Sequence, residues 1–335
     1  GYLMLRTAAR YMIGSAVLLG LLAGAIAGAW MAVDRLIITA PGPHAETVLI
    51  SVSPGDGHAT IRWTLKRGGV IRELYHYDAA RIMAGRSFVP KEGEFEIPPA
   101  ASIADIMKII HAGRSHQRRL TIIEGMTASQ VVAQIAADEN FTGEISVDVA
   151  EGSILPETYF YTRGTTRDAM LTRMQEKREM LLLDAWVGRD KDLPFKTREE
   201  AVTLASIVEL ETGDSADRRE VAGVFVNRLR RGMRLQSDPT VLYGVDGDPG
   251  RTIRRSDLKR ETEWNTYVIK GLPKTPICNP SRDSLDAVLH PARTSNMYFV
   301  SDGYGGLRFA KKLDEHNRNV RLFRKVQRET GARQK

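Results

Sequence analysis

LASIVELETG, residues 204–213, decides more about this chain than any other stretch. Thr197 and Glu200 precede it at the spacing of a capping box, which predicts that a helix begins there. The apolar residues that follow at i, i+3, i+4 and i+7 are Ala201, Leu204, Ala205 and Val208. Their spacing predicts one buried stripe along this helix. The helix therefore leads from an apolar core to two carboxylates, Glu209 and Glu211.

The two carboxylates at the end of this helix are candidates for acid catalysis. A glutamate removed from water favours its neutral form, so it can hold a proton near neutral pH and donate it. Cleavage of a glycosidic bond requires such a general acid. Glu209 and Glu211 are two residues apart, so their side chains point about 200° away from each other on a helix. Only one of them can act on a given bond, and a capping or solvated role is the alternative for each.

Two polar stretches beyond this helix predict a binding surface. The segment 227–243, NRLRRGMRLQSDPTVLY, and the segment 265–267, NTY, carry amide and hydroxyl groups that suit sugar hydroxyls and acetamido groups. Ordinary turn chemistry is the alternative, because Ser-Asp-Pro forms turns readily. Together with Glu209, the residues predicted to bind substrate are Asn227, Arg228, Gln236, Ser237, Asp238, Thr240, Tyr243, Asn265, Thr266 and Tyr267.

Composition and missing motifs narrow the function classes. The net charge of +7 admits an anionic partner, although a solvated basic surface explains it equally well. Arginines and aromatic residues are not interleaved in the way that is typical of a nucleic-acid-binding groove, so nucleic acid is not expected as a partner. The seven histidines lack ligand-like spacing, and no phosphate-binding or dinucleotide-binding motif is present. The sequence therefore predicts no metal and no cofactor, and the single cysteine, Cys278, cannot form an internal disulfide.

The N-terminal region predicts a membrane anchor. Residues 11–33 carry no charge, and a helix of this length crosses the roughly 30 Å hydrocarbon layer. Arg6 and Arg10 precede the apolar run, so the positive-inside rule predicts a short cytoplasmic N-terminus over 1–10 and a transmembrane helix over 11–34. A stalk over 35–46 then leads to a part outside the cytoplasm. A cleaved signal peptide, with a site at Ala25-Ile26-Ala27, is the alternative.

The remaining chain predicts an α+β fold. Strand–turn–helix patterns recur between 47 and 150, where strands over 47–52, 94–97 and 120–123 precede turns and helices. Residues 94–97 alternate between polar and apolar, and Ser102 and Thr127 are predicted to cap the helices that follow the second and third strands. A generic α+β spacer is the alternative for this region. From 151 onward the chain predicts a mixed α/β domain extending to 330, with helices over 167–188 and 217–231. Tyr298-Phe299-Val300 and Leu307-Arg308-Phe309 predict a hairpin before a C-terminal helix.

Several motifs together resemble one enzyme family, the YceG-like (MltG) family of endolytic murein transglycosylases. They are EG at 124–125, EGSILPETY at 151–159, LASIVELETG at 204–213, VFVNRLRRGMRLQSDPTVLYG at 224–244, WNTYVIKGLPKTPICNP at 264–280, LHPA at 289–292, YFVSDGYGG at 298–306 and EHN at 315–317. The resemblance implies a LysM-like region over 47–150, a catalytic domain over 151–330, and Glu211 as the catalytic residue. Cys278, Trp264 and the segment 91–100 depart from the family pattern.

The resemblance also implies a reaction and a setting. Family members cleave the β-1,4 bond between MurNAc and GlcNAc within nascent peptidoglycan strands and leave 1,6-anhydroMurNAc ends, which would terminate glycan elongation. The implied location is the cell inner membrane, with a single span, a periplasmic catalytic part, and peptidoglycan synthases as partners. Two alternatives remain: a membrane-anchored, non-catalytic peptidoglycan-binding scaffold, and a hydrolase that uses Asp238 as a second carboxylate.

Overall fold

The computed structural model describes residues 2–247 and 253–333. The chain forms two compact units, Gly1–Arg118 and Arg119–Lys335. The division falls earlier in the chain than the predicted domain boundary at 150/151. The predicted catalytic range, 151–330, includes residues 248–252, which lie outside the described part.

A long apolar helix begins the first unit. Helix α1 (Tyr2–Val33) continues into a π-helical turn over Asp34–Ile38. Within the described residues, the segment Gly14–Ile38 is the one helical stretch long and apolar enough to cross a membrane. Its large side chains are exposed, including Leu18 at 68% and Leu21 at 67%, so the protein itself gives them no apolar environment. The exposed apolar surface is compatible with the predicted transmembrane helix.

A two-stranded antiparallel sheet forms the centre of the first unit. Strand β1 (Val48–Val52) pairs with β2 (Gly93–Ile97), and Ile50 lies opposite Phe95 in the register. Ile50 and Phe95 are both buried, but the alternation predicted for 94–97 is incomplete, because Glu94 next to Phe95 is buried as well. The helices of this unit are α2 (His58–Arg67), α3 (Leu74–Ala84) and α4 (Ile103–Ala112).

These helices bury one apolar face each in a common core. Ile61 and Leu65 of α2, Tyr77 of α3 and Ile106 of α4 are fully buried in the same cluster. The predicted cap of α4 is confirmed, since Ser102 Oγ accepts a hydrogen bond from the Asp105 backbone N–H at 3.2 Å.

The second unit opens with a smaller sheet and two capped helices. Strand β3 (Arg118–Thr121) pairs with β4 (Thr158–Tyr161), and β3 begins two residues before the strand predicted over 120–123. Helix α5 (Ala128–Ala137) begins after Thr127, the predicted cap, and Thr127 also forms a capping box with Gln130. Helix α6 (Arg167–Val187) matches the predicted amphipathic helix.

The core of the second unit surrounds helix α7 (Arg198–Glu211), and its predicted capping box is confirmed. The expectation of a single buried stripe is wrong, because Val202, Ser206 and Ile207 on the other faces are also fully buried. Helices α8 (Ser215–Arg230) and α10 (Arg282–Leu289) pack against α7, and the Ile277 backbone N–H donates to Ser206 Oγ at 3.0 Å. Because other elements cover α7 on several sides, its buried residues are not confined to one stripe beside a solvent-exposed face.

The C-terminal elements complete this unit. Helix α9 (Asp238–Asp246) follows α8, and an antiparallel pair of strands, β5 (Tyr298–Ser301) and β6 (Leu307–Ala310), follows α10. The glycine-rich loop between the strands is a turn, in which Asp302 Oδ1 accepts hydrogen bonds from the Tyr304 and Gly306 N–H groups. Helix α11 (Leu313–Arg333) packs on both strands.

Candidate active site

A cavity of about 560 Å³ opens at the end of α7. It lies between the C-terminus of α7, the start of α9, one face of α8, and a wall formed by β5, β6 and α11. Its lining residues are Glu211, Arg228, Gln236, Asp238, Tyr267, Tyr298, Phe299, Val300, Ser301, Leu307, Leu313 and His316. One side of the cavity is polar, and the opposite side is aromatic and aliphatic. We call this cavity the Glu211 groove.

Glu211 is the last residue of α7 and is half-buried in the groove. Burial raises the pKa of its carboxyl from 4.5 to about 7, because the charged form loses hydration. The Ser237 hydroxyl and the Arg228 cation lower this pKa, while the charge of Asp238 raises it further. A carboxyl with this pKa carries a proton on a large share of molecules at neutral pH, as a general acid must.

Arg228 supplies a fixed positive charge beside this carboxyl. Its side chain is buried, Nε donates to Met297 O at 2.7 Å, and Nη1 donates to Leu235 O at 2.6 Å. The guanidinium lies 5.4 Å from the centroid of the Tyr298 ring. Burial lowers the pKa of Arg228, but an arginine starts so high that the group stays charged at neutral pH. The position of this cation in the groove is therefore restrained by its hydrogen bonds.

The Gln236-Ser237-Asp238 segment forms the other polar edge. Gln236 has a left-handed backbone with φ of 53°, and its N–H donates to Thr266 O at 3.2 Å. Ser237 Oγ is buried close enough to the Glu211 carboxyl to lower its pKa, and it has no hydrogen-bond partner of normal geometry within the described ranges. Asp238 Oδ1 accepts a hydrogen bond from the Tyr267 hydroxyl at 2.7 Å. Burial raises the pKa of Tyr267, so its phenol stays a donor to this carboxylate.

Three of the predicted binding residues support this edge from behind. Thr240, Asn265 and Thr266 are fully buried and do not line the groove. Thr240 Oγ1 donates to Ser237 O at 2.6 Å, and Thr266 Oγ1 accepts from the Ser237 N–H at 2.9 Å. Asn265 Nδ2 donates to Arg260 O at 2.7 Å. These contacts fix the loop conformation that presents Gln236 and Asp238 to the groove.

Glu209 lies away from the groove in a buried ion pair. Its Oε1 is 3.2 Å from Arg218 Nη2, and its Oε2 accepts from the Ser281 N–H at 2.7 Å. Its side chain is 4% exposed, and both carboxylate oxygens are occupied. The structure therefore separates the two carboxylates that the sequence left equivalent: Glu209 joins α7 to α8 and α10, and Glu211 faces the cavity.

Asn227 and Tyr243 also lie outside the Glu211 groove. Asn227 Nδ2 donates to Thr294 O at 2.9 Å and to Asn296 O at 3.1 Å. The Tyr243 hydroxyl donates to Glu151 Oε2 at 3.1 Å. Of the residues predicted from the sequence, the structure thus brings together Glu211, Arg228, Gln236, Ser237, Asp238 and Tyr267.

The aromatic wall was not among the predicted site residues. His316 and Tyr298 stack with ring centroids 5.2 Å apart and an interplanar angle of 25°, and both line the groove with Ser301. Burial and the nearby Arg228 charge lower the pKa of His316, so the imidazole is neutral at pH 7. The available signals were the stretches 298–306 and 315–317, which belong to the family pattern but are far from 211 in sequence.

A metal-binding cluster is not found in the described part of the chain. Within residues 2–247 and 253–333, His, Cys, Asp and Glu side chains form no group of three or more that could hold an ion. The lining of the groove supplies a proton donor in Glu211, a cation in Arg228 and hydrogen-bonding side chains.

This chain is similar in sequence and in fold to known proteins. The chain is 27% identical over 330 residues to the "Endolytic murein transglycosylase" of Bacillus subtilis (strain 168), covering 88% of this chain and 89% of that relative. It is 27% identical over 360 residues to the protein of the same name from Streptococcus pneumoniae serotype 2, but covers only 64% of that relative's length. A crystal structure of a YceG-like protein from Listeria monocytogenes matches with a TM-score of 0.52 and 25% identity, covering 82% of this chain and 98% of that one. The family model described as "YceG-like family" matches residues 50–322, so this chain belongs to the YceG-like family.

Proposed function

We propose that this protein is an endolytic murein transglycosylase, a lyase that cuts the β-1,4 bond between MurNAc and GlcNAc within peptidoglycan strands. The observation that carries the proposal is the Glu211 carboxyl, whose pKa is raised to about 7 in a groove lined by sugar-binding types of side chain. The relatives named endolytic murein transglycosylase support the same reaction class.

In the first step Glu211 acts as general acid. Its carboxyl proton passes to the oxygen that links MurNAc C1 to GlcNAc, and the C1–O bond breaks with the electron pair leaving on that oxygen. Positive charge develops at C1 and the ring oxygen. The carboxylate now present on Glu211 stabilises this charge electrostatically, and Asp238 on the neighbouring edge adds to the same field.

In the second step the Glu211 carboxylate acts as general base. It takes the proton from the 6-hydroxyl of the same MurNAc, whose oxygen bonds to C1 and closes a 1,6-anhydro ring. Glu211 ends the cycle protonated, and no water is consumed. Because the substrate supplies its own nucleophile, one carboxyl with a pKa near neutrality is sufficient for both proton transfers.

The polar edge holds the sugars in this scheme. Gln236 offers an amide donor and acceptor to an acetamido or hydroxyl group. The buried Ser237 hydroxyl lies beside the Glu211 carboxyl and favours its ionised form, which assists the proton transfer away from Glu211. The stacked rings of Tyr298 and His316 line the groove and offer apolar contact to a sugar.

The setting of the reaction completes the proposal. We assign the apolar N-terminal helix as a single inner-membrane span that holds the catalytic part in the periplasm. The region 47–150 would act as a LysM-like wall-binding part. Cuts made in nascent strands would terminate glycan elongation, with peptidoglycan synthases as partners.

Mass spectrometry of digested murein tests the reaction. Full-length protein should release fragments that end in 1,6-anhydroMurNAc, and Glu211→Gln should release none, because the amide keeps the shape and cannot donate a proton. Glu263→Gln is the matched control, since Glu263 lies in an exposed ion pair with Lys274 and outside the groove. Reducing ends would identify a hydrolase using Asp238. No released fragments from the unsubstituted protein would indicate a binding scaffold.

A further inference from the structure

A second and larger cavity, of about 930 Å³, lies elsewhere on the same unit. Its walls are the segment 189–193 after α6, the segment 291–295 after α10, and the face of α8 that carries Gly223, Asn227 and Arg230. It shares no lining residue with the Glu211 groove. We call it the basic cleft.

The walls of the basic cleft are fixed by close packing. A Cβ placed on Gly223 would lie 2.6 Å from Ala292 O, so only glycine lets the 291–295 segment approach α8 this closely. Asn227 Nδ2 joins the two by donating to Thr294 O and Asn296 O, and the Ala292 N–H donates to Arg219 O at 2.9 Å. The cleft is therefore preformed, which lowers the entropic cost of binding.

Positive side chains surround the cleft. The Arg189 guanidinium lies 4.0 Å from the Trp186 ring centroid and donates to Trp186 O at 2.8 Å, so its position is set. Arg230 is held by a hydrogen bond to Asp192 O. Lys191 and Arg293 also line the cleft, and within the described residues neither makes an ion pair or a side-chain hydrogen bond.

The acidic groups of the cleft do not cancel this charge. Asp190 and Asp192 are the lining carboxylates, against four lining cations. The Asp190 carboxylate is already 3.3 Å from the His290 ring nitrogen, which draws it toward α10. The balance of lining charges is positive, and two of the cations, Lys191 and Arg293, have no ion-pair partner among the residues that the structure describes.

We propose that the basic cleft binds the carboxylates of the peptides that branch from the glycan strand. This inference rests on the proposed function, because it takes the strand cut at Glu211 to be the ligand that carries those peptides. Helix α8 carries Arg228 to the groove and Asn227 and Arg230 to the cleft, so the two sites are separated by the width of one helix, about 10 Å.

The chemistry of the cleft favours a peptide carboxylate over a neutral sugar. Arg293 can bind a carboxylate through two parallel N–H donors, and Lys191 can bind one through its ammonium group. Arg189 and Arg230 each already donate to a backbone carbonyl, so they add fixed positive charge to the cleft. The volume of about 930 Å³ lies in the range of sites that bind small molecules, which is room for the end of a peptide. Thr294 and Ser295 in the same wall add hydroxyl groups that suit a peptide backbone.

Equilibrium binding of strands with and without peptides tests the inference. The full-length Glu211→Gln protein is used in detergent, so that bound strands are not consumed. The ligands are peptide-bearing glycan strands, the same strands stripped by an amidase, and strands whose peptide carboxylates have been chemically amidated. The test variant adds Lys191→Gln and Arg293→Gln, and the matched control adds Lys259→Gln and Arg282→Gln, which remove two exposed charges outside both cavities.

Peptide-bearing strands should bind about three- to tenfold more tightly than stripped or amidated strands, as two solvent-accessible ion pairs allow. The Lys191→Gln, Arg293→Gln protein should lose this preference, and the control should retain it. Equal affinity for all three ligands would overturn the inference, as would a preference that survives the double substitution. A preference that depends on Lys191 and Arg293 supports the cleft even if no anhydro product is formed, in which case only the proposed reaction fails.

Discussion

Replacing Glu211 by Gln should stabilise the protein at alkaline pH while abolishing its activity. The folded protein holds the Glu211 proton more tightly than the unfolded chain does, because burial raises the pKa from 4.5 to about 7. The contribution of the Glu211 proton to wild-type stability is therefore fully present below pH 4.5 and is lost as the pH rises through about 7, where the carboxyl must ionise inside the groove. Glutamine never ionises, so the variant escapes this loss.

The size of the effect follows from the two pKa values. Each tenfold change in proton affinity corresponds to about 1.4 kcal/mol, and partial access of solvent to the groove reduces the total. We compare the free energy of unfolding of Glu211→Gln with that of the wild type at each pH. The difference, variant minus wild type, should be about 2–3 kcal/mol larger at pH 8 than at pH 4.5. Activity of the wild type should decline about tenfold per pH unit above pH 7, as the acid form is lost.

Urea denaturation of the full chain in detergent, at several pH values between 4.5 and 8, measures this difference. Glu263→Gln, at an exposed ion pair, serves as the control and should follow the wild-type curve. If the stability curves of wild type and Glu211→Gln ran parallel over this pH range, the Glu211 carboxyl would have the same proton affinity in the folded and the unfolded protein. That result would refute a buried general acid at Glu211.

Two further substitutions test the packing around the site, each by its free energy of unfolding. Glu209→Gln should cost about 1–3 kcal/mol, because the buried Arg218 would lose its closest carboxylate and keep only the more exposed Glu124 and Asp283. Asp286→Asn, in an exposed pair, should cost less than about 1 kcal/mol. Equal costs would contradict a structural role for Glu209. Gly223→Ala should cost about 1–3 kcal/mol, because the added Cβ meets a backbone carbonyl at 2.6 Å. Gly188→Ala, with its nearest atom at 3.9 Å, should be tolerated, and similar losses at both glycines would count against the close-packing argument.

Local sequence signals predicted most of the secondary structure. Caps at Ser102, Thr127 and Thr197 mark helix starts that the structure confirms, because an N-cap hydrogen bond depends on residues three positions apart. The burial of α7 on several sides was not predicted. It depends on α8 and α10, which arrive from later in the chain.

In the candidate site, too, residues close in sequence were predicted and residues from distant elements were not. The polar edge around Gln236 and Asp238 was predicted because its residues are adjacent in sequence and chemically alike. The aromatic wall of Tyr298 and His316 was missed, since those residues belong to β5 and α11 and meet the groove only after the chain has folded back. Glu209 was included because helical geometry alone could not place it relative to a cavity.

The sequence by itself determined the apolar N-terminal helix, the capped helices, and a carboxylate pair at the end of a buried run. Those features depend on side-chain pattern over a few turns of chain. Only the tertiary structure decided that Glu209 forms an ion pair with Arg218. It also decided that Glu211 faces a groove, where the pKa of its carboxyl is near 7. The physical reason is that proton affinity depends on the water and charges around a group, and those come from elements far apart in the sequence.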